Sequence, residues 1–335
     1  MTASPSSSTR VAIYGTGACA PERVISNEWF KQYVDTSDEW IVQRTGIHER
    51  RFARDDQSCS DLAHEAAQQA LDDAGWKAEE LDFIVLGTCT PDTMLPNTAQ
   101  YVHHLLGARP DCGAIDVINA CSSFTYAISL VAPMIRTGQV RKVLAIGAEK
   151  LSPFLNFEDR TSCILFGDGA GAACLAAAEE GTSSDILNSR FGTHFDYESL
   201  NLKAGGSRMP ASHETIDNKD HFVRTNGRAV FKFAVNTLRD EIVGQCEAAG
   251  ISPGDIQCVI PHQANIRIIQ AAMEAAGFPI ERTYMNLQRF GNTSAASVPL
   301  ALAEAAREGA FQRGDLIVLC AFGAGLAWGS QLIRW

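Results

Sequence analysis

Three residues whose side chains could share one reaction stand far apart in the 335-residue chain: Cys121, His262 and Asn292. A thiolate is a much better nucleophile than a thiol, and the unpaired N–H groups and dipole of a helix N-terminus favour it. Cys121 lies in "DVINACSSFTYAISLVAPMIRTG", where a short apolar strand gives way to an amphipathic helix. The stretch reads either as the seat of an activated nucleophile or as a small buried cysteine at a tight turn. His262 follows the apolar strand "IQCVI" and a proline, a strand-end loop position that suits a site residue. Asn292, in "RFGNTSAASVP", is either a site amide or a turn and cap residue next to the permissive Gly291.

The elements that must position these residues follow an alternation of buried strands with helix-period segments. "RVAIYGTGA", "LAHEAAQQALDDAG", "LDFIVLGTCT", "NTAQYVHHLLGA" and "KVLAIGAE" are successive examples, and the pattern is that of an α/β fold whose central strands are covered on both faces. The rhythm then repeats. "AAQQALDDAGWKAEELDFIVLG" is echoed by "DEIVGQCEAAGISPGDIQCVIPH", with Leu81 opposite Ile256 and Gly87 opposite His262 at an offset of 175. Pairing Gly138 with Gly309, at an offset of 171, sets Cys121 opposite Asn292. A duplicated α/β unit brings equivalent strand ends together about a pseudo-twofold axis, and strand ends are where such folds place chemistry. The expected organisation is a flexible tail over 1–10, a first half over 11–184, an irregular connection over 185–225 and a second half over 226–335.

Composition bounds the function. At 46% hydrophobic and 20% charged, the chain is an ordinary globular one. Its net charge of −11 argues against general nucleic-acid binding, although a local basic patch remains compatible with it. The first residues, "MTASPSSST", have neither a charged leader nor an apolar core, and no window reaches the length of a membrane span. A cytoplasmic protein with reduced thiols is expected. The ten cysteines form no C-x-x-C pair and no grouping with histidine, so no structural zinc is expected.

Six motifs, in order, carry a resemblance. "DTSDEWIVQRTGI", "NACSSFTYA", "FGDGAGAA", "IPHQANIRII", "GNTSAASVPLAL" and "AFGAGLAWGS" together resemble 3-oxoacyl-acyl-carrier-protein synthase III of the thiolase superfamily, from about residue 11 to Trp335. The resemblance implies a five-layered α-β-α-β-α fold of two duplicated halves and a Cys-His-Asn set at Cys121, His262 and Asn292. It implies that Cys121 takes an acyl group from acyl-CoA, and that malonyl on acyl carrier protein (ACP) then decarboxylates and attacks the acyl-enzyme. His262 and Asn292 would stabilise the enolate without a metal, beside an apolar wall at Phe322. No cofactor is implied, because the CoA thioester is a substrate.

The same resemblance assigns the acyl oxyanion to backbone N–H groups of Cys121 and the "FGAG" turn, where Ala324 replaces a glycine common in the family. It places Thr36, Trp40, Arg44 and Arg160 around CoA; without it, Trp40 would be core and Arg44 would pair with Asp38. Lys232 and Arg267 fall where the family docks its acidic carrier protein, although Glu274 stands where a further cation is common. Leu95, before the proline of "TMLPNTAQ", would close the acyl pocket of the partner in a homodimer, and its size leaves room for more than an acetyl primer.

Other readings compete. "GTGACAP" has two of three dinucleotide-fingerprint glycines but runs into Pro21 rather than a helix. A Cys-His-Asn hydrolase lacks its local cysteine signature here. A dead scaffold is disfavoured by the intact set of three. A relative in secondary metabolism, with a specialised acyl group or acceptor, keeps the same three residues and is the alternative.

Overall fold

The computed structural model describes residues 9–335. Of the expected flexible tail, residues 1–8 lie outside the described residues, and Arg10 already accepts a backbone hydrogen bond from Ala178. Five strands, β1 (Val11–Cys19), β2 (Phe83–Gly87), β3 (Gly113–Val117), β4 (Lys142–Glu149) and β5 (Gly169–Ala177), form a sheet in the order β1-β5-β4-β2-β3. Four more, β6 (Asp185–Asp196), β7 (Ile256–Pro261), β8 (Leu316–Gly323) and β9 (Gly325–Arg334), form a second sheet in the order β7-β8-β9-β6.

The sheets repeat one another. In each, the first strand and the last pair antiparallel, the last and its predecessor pair antiparallel, and the next pair is parallel. The place of β3 is taken in the second sheet by a single parallel bridge from Val259 to Thr283.

Helices complete the layers. The main ones are α1 (Cys59–Ala74), α2 (Thr98–Leu106), α3 (Ser123–Arg136), α4 (Gly227–Ala249), α5 (Ile266–Ala276) and α6 (Ser297–Glu308). Helices α1 and α2 cover the outer face of the first sheet, α3 and α6 lie between the sheets, and α4 and α5 cover the outer face of the second. This is the five-layered thiolase-like arrangement. The inner layer is seated on glycine: a Cβ at Gly147 would come 2.3 Å from the Ala295 carbonyl oxygen, and one at Gly171 2.3 Å from the Leu300 amide nitrogen. Backbone therefore meets backbone where α6 crosses the first sheet.

The 185–225 segment is not irregular throughout. It opens with β6, which pairs only with β9 and so is an edge strand. Only Ile186 on it is buried, and Leu187, Phe191 and Phe195 are among its exposed residues, so it lacks the buried apolar run by which the other strands were read. The second sheet consequently begins at Asp185 rather than at 226. The rest of the segment carries a two-stranded ribbon, Leu200–Asn201 against Arg224–Thr225, which roofs the site described next.

Candidate active site

Cys121 is the middle residue of a single 3-10 turn, Ala120–Ser122, between β3 and α3. Ala120 has φ 47°, in the left-handed region that non-glycine residues rarely adopt. The turn is tied by Ser123, whose hydroxyl accepts from the Asn119 amide at 2.8 Å and donates to the Ala120 carbonyl at 2.7 Å. The other half has the same device: a 3-10 turn, Ser294–Ala296, opens α6, and Ser294 has φ 48°. By backbone, then, Ala120 matches Ser294 and Cys121 matches Ala295. The offset that set Cys121 opposite Asn292 was misled by spacing, since Cys121 lies 17 residues before Gly138 whereas Ala295 lies 14 before Gly309. His262 does stand one residue beyond β7 and donates its amide to the Cys320 carbonyl at 2.7 Å.

Each turn rests against the final residue of a strand from the opposite half. Gly323 ends β8, and a Cβ there would lie 2.7 Å from the Cys121 amide nitrogen. Glu149 ends β4 and lies against Ser294 and Ala295, accepting from the Ser294 hydroxyl at 2.9 Å.

Cys121 lines two cavities. One, of about 320 Å3, is mostly apolar and is walled by Ile118, Leu151, Phe154, Phe166, Val223 and the Ala324–Gly325 turn. The other, of about 150 Å3, holds His262, Asn292, Asn265 and Phe322 with Cys121. The structure thus brings Cys121, His262, Asn292 and Phe322 to one cavity and Ala324 to the adjoining one. The roof residue Leu200 borders both.

The polar side chains are fixed from behind. The His262 ring nitrogen Nδ1 is 2.6 Å from the Ser297 hydroxyl, and its ring packs edge-on to Phe322 with centroids 5.1 Å apart. That hydrogen bond leaves Nε2 as the free ring nitrogen. Asn292 Oδ1 accepts from the Ser294 amide at 2.9 Å, which leaves the amide N–H2 as its free donor. The Asn292 backbone is clamped by Leu165 and Gly167.

Burial sets the charge states. It lowers His262 to about 3, so the imidazole is neutral at ordinary pH. It pushes the Cys121 thiol up to about 12, against the helix-terminus expectation, with the Ser294 hydroxyl and the Cys121 amide pulling the other way. A helix terminus is worth about 1 kcal/mol, whereas taking an ion out of water costs several; desolvation wins. The resting pair is therefore thiol and neutral imidazole rather than thiolate and imidazolium.

The remaining candidates sit around the openings. Trp40 lies under two guanidinium groups, Arg44 at 5.1 Å and Arg160 at 4.6 Å from its ring centroid. Arg160 is held by the Asp35 carbonyl and Arg44 by its own carbonyl's bond from Asn265, a residue of the smaller cavity. Asp38 instead accepts from Asn27, so the expected Arg44–Asp38 alternative is absent. Thr36 has a buried hydroxyl with no partner. Lys232 and Arg267 are exposed, on α4 next to Phe231 and on α5 next to Ile268, both of which line the smaller cavity, whereas Glu274 lies further along α5. Leu95 is 87% exposed and lines neither cavity of its own chain.

Sequence reasoning missed several residues. Glu149 and Ser294 have just been placed; Ser297 orients His262; Cys89 lines the apolar cavity with its sulfur 3.1 Å from Glu149. Arg228 is exposed one turn before Lys232 on α4, a spacing that could have been read as a basic pair. No group of metal-ligating side chains occurs among the described residues.

Comparison with known proteins gives a consistent result. Residues 115–194 match the model of 3-oxoacyl-[acyl-carrier-protein] synthase III, and residues 246–335 match that of its C-terminal part. Beta-ketoacyl-[acyl-carrier-protein] synthase III of Caldanaerobacter subterraneus is 48% identical, over 96% of this chain and 97% of its own. The Clostridioides difficile protein of the same name is 43% identical, over 98% and 99%. The crystal structure of 3-oxoacyl-[acyl-carrier-protein] synthase III from Aquifex aeolicus superposes with a TM-score of 0.89 at 42% identity, covering 97% of this chain and 100% of that one.

Proposed function

Because the chain belongs to the 3-oxoacyl-[acyl-carrier-protein] synthase III family, we propose that it joins an acyl-CoA primer to malonyl-ACP by decarboxylating Claisen condensation and so starts fatty acid synthesis. The observation that carries this reading is that one thiol borders two different cavities. An acyl chain delivered to Cys121 has an apolar space of about 320 Å3 to enter. The second substrate meets the same sulfur from the side of His262 and Asn292.

In the first half-reaction Cys121 attacks the thioester carbonyl, and the oxyanion is held by the amides of Cys121 and Ala324. CoA leaves as the thiol. In the second, the malonyl thioester oxygen receives hydrogen bonds from His262 Nε2 and the Asn292 amide. Neutral donors suffice there, because fixed dipoles in a dry site stabilise developing charge without reorganising. Phe322 supplies an apolar wall that favours loss of the carboxylate as carbon dioxide. The carbanion then attacks the acyl-Cys121 carbonyl and 3-oxoacyl-ACP is released.

Binding follows the same pattern. The CoA nucleotide meets the Trp40, Arg44 and Arg160 cluster, with Thr36 beside it, where an aromatic face between guanidinium groups suits adenine and phosphate. Lys232, Arg267 and Arg228 form a local basic rim for an acidic carrier protein despite the chain's net charge of −11. A cytoplasmic homodimer fits the open edge of β3 and the exposed Met94, Leu95, Ile115 and Ile118 near it. In that dimer Leu95 closes the partner's acyl cavity. No helix of the described residues is long and apolar enough to cross a membrane. The test is mass spectrometry after incubation with a panel of acyl-CoAs: an acyl adduct on Cys121, discharged by malonyl-ACP, is expected, and no adduct with any acyl-CoA would overturn the reading.

A further inference from the structure

Glu149 is wholly buried, and every group that reaches it is a donor without a positive charge. Its oxygens accept from the Thr90 hydroxyl at 2.6 Å, the Ser294 hydroxyl at 2.9 Å, the Cys89 amide at 3.1 Å, the Cys89 thiol at 3.1 Å, the Thr88 hydroxyl at 3.2 Å and the Ala295 amide at 3.4 Å. Lys150, its neighbour in sequence, turns away to the carbonyls of Arg54 and Gln57. A buried carboxylate with no ion-pair partner is costly to keep, and nothing in the condensation as described uses it. Ser294 connects it to the site: its hydroxyl donates to Glu149, and Ser294 lines the apolar cavity together with Cys121.

We propose that Glu149, through the Ser294 hydroxyl, receives the Cys121 proton when the thiol attacks, so that a relay crosses from one half of the molecule to the other. The inference rests on Cys121 being the acyl acceptor. As the sulfur attacks, its S–H proton passes to Ser294 Oγ and the serine's own proton passes to Glu149 Oε1. The sulfur lone pair forms the bond to the acyl carbon. When the C–S bond to CoA breaks, the leaving thiolate takes a proton back along the same path, and Glu149 is a carboxylate again.

Charge conservation favours this acceptor over His262. Moving the proton to Glu149 shifts one negative charge within the buried site, whereas moving it to a neutral imidazole creates two new buried charges. Burial also raises the Glu149 carboxyl and lowers His262, so both groups lean the same way. The titratable groups that face Glu149 are the thiols of Cys89 and Cys121, with Cys59 behind Thr88 and Asp92 beyond it. Glu149 acts through Ser294 in this scheme, Ser294 exchanges protons with the sulfur atoms, and only Cys121 touches the reacting carbon.

The experiment compares wild type with Glu149→Gln, Ser294→Ala and the double variant. Two quantities are read across pH: the rate of acyl transfer from acyl-CoA to Cys121, and the rate of Cys121 alkylation by iodoacetamide. Ser294→Ala guards against misfolding, because the matching Ala120 already holds alanine at the same backbone angle and Glu149 keeps its other donors. Acylation about 100-fold slower in each single variant is expected, the size of a proton-transfer contribution, with the alkylation midpoint moved to higher pH in Ser294→Ala, which loses a hydroxyl that favours the thiolate, and to lower pH in Glu149→Gln, which loses a carboxylate that disfavours it. The double variant should be no slower than either single one, because both changes cut one path. A buttress with no proton to carry would lower thermal stability and leave the acylation rate in place. Folded Ser294→Ala or Glu149→Gln protein with acylation within about twofold of wild type would overturn the relay. Failure of wild type to take any acyl group would instead remove the proposed function, and the relay with it.

Discussion

The two halves use one backbone device for opposite ends. Both place a residue at φ near +47° before a buried helix, and both press that turn against the last residue of a strand from the other half. In one, the turn carries Cys121 and the opposing strand ends in Gly323, so space is left beside the thiol. In the other, the turn carries Ser294 and the opposing strand ends in Glu149, so the equivalent space is filled by a carboxylate. The difference teaches that duplication conserved where atoms can be placed and let chemistry diverge in which half supplies the nucleophile and which supplies its surroundings.

Replacing the sulfur tests the assignment most severely. Cys121→Ala should lose all covalent acylation by mass spectrometry while keeping the wild-type melting curve, since a small side chain replaces a small one. Gly323→Ala attacks the same half from the facing strand. Its Cβ would be 2.7 Å from the Cys121 amide, against which backbone cannot yield cheaply, and acylation should fall by about 100-fold or more, in line with a misplaced reacting group. In the other half, His262→Ala should leave the acyl adduct intact but slow condensation by roughly 100- to 1000-fold, the cost of one oxyanion donor. Rapid-quench measurement of the two half-reactions separates these cases.

Smaller effects sharpen the contrast. His262 is lowered to about 3 by burial, so across the window from about 6.5 down to 3 the unfolded chain binds a proton that the folded one does not. Folding stability should therefore fall as pH drops through that window, and less steeply in His262→Gln; urea unfolding at several pH values checks this. Trp40→Ala removes one aromatic face from the proposed CoA site and should raise KM for acyl-CoA by about tenfold with kcat little changed, as expected for loss of uniform binding.

Much of this was legible in the chain. The strand ends before Cys121 and His262 were marked by apolar runs followed by small or polar residues, and the duplication was visible because helix stops and acidic turns recur. Glu149 was not legible. In "LAIGAEK" it looks like an ordinary acid beside a lysine at the end of a strand, and only contact with residues about 60 and about 145 positions away buries it. The edge strand β6 was hidden for the converse reason: its burial is too slight to leave an apolar pattern. A spacing from turn to closing glycine that differs by three residues, 17 against 14, spoiled the register between the paired turns. Long-range burial and slight insertions leave no local trace in a single sequence.

The thin ribbon over the two cavities contrasts with the packing beneath it. Around the thiol, α6 meets the first sheet through Gly147 and Gly171, where backbone lies against backbone. The ribbon is different: Leu200–Asn201 and Arg224–Thr225 pair through two residues a side, and Leu200 shuts both cavities at once. Leu200 is therefore a wall that the apolar cavity and the smaller cavity share, so a change in its side chain reshapes both at once.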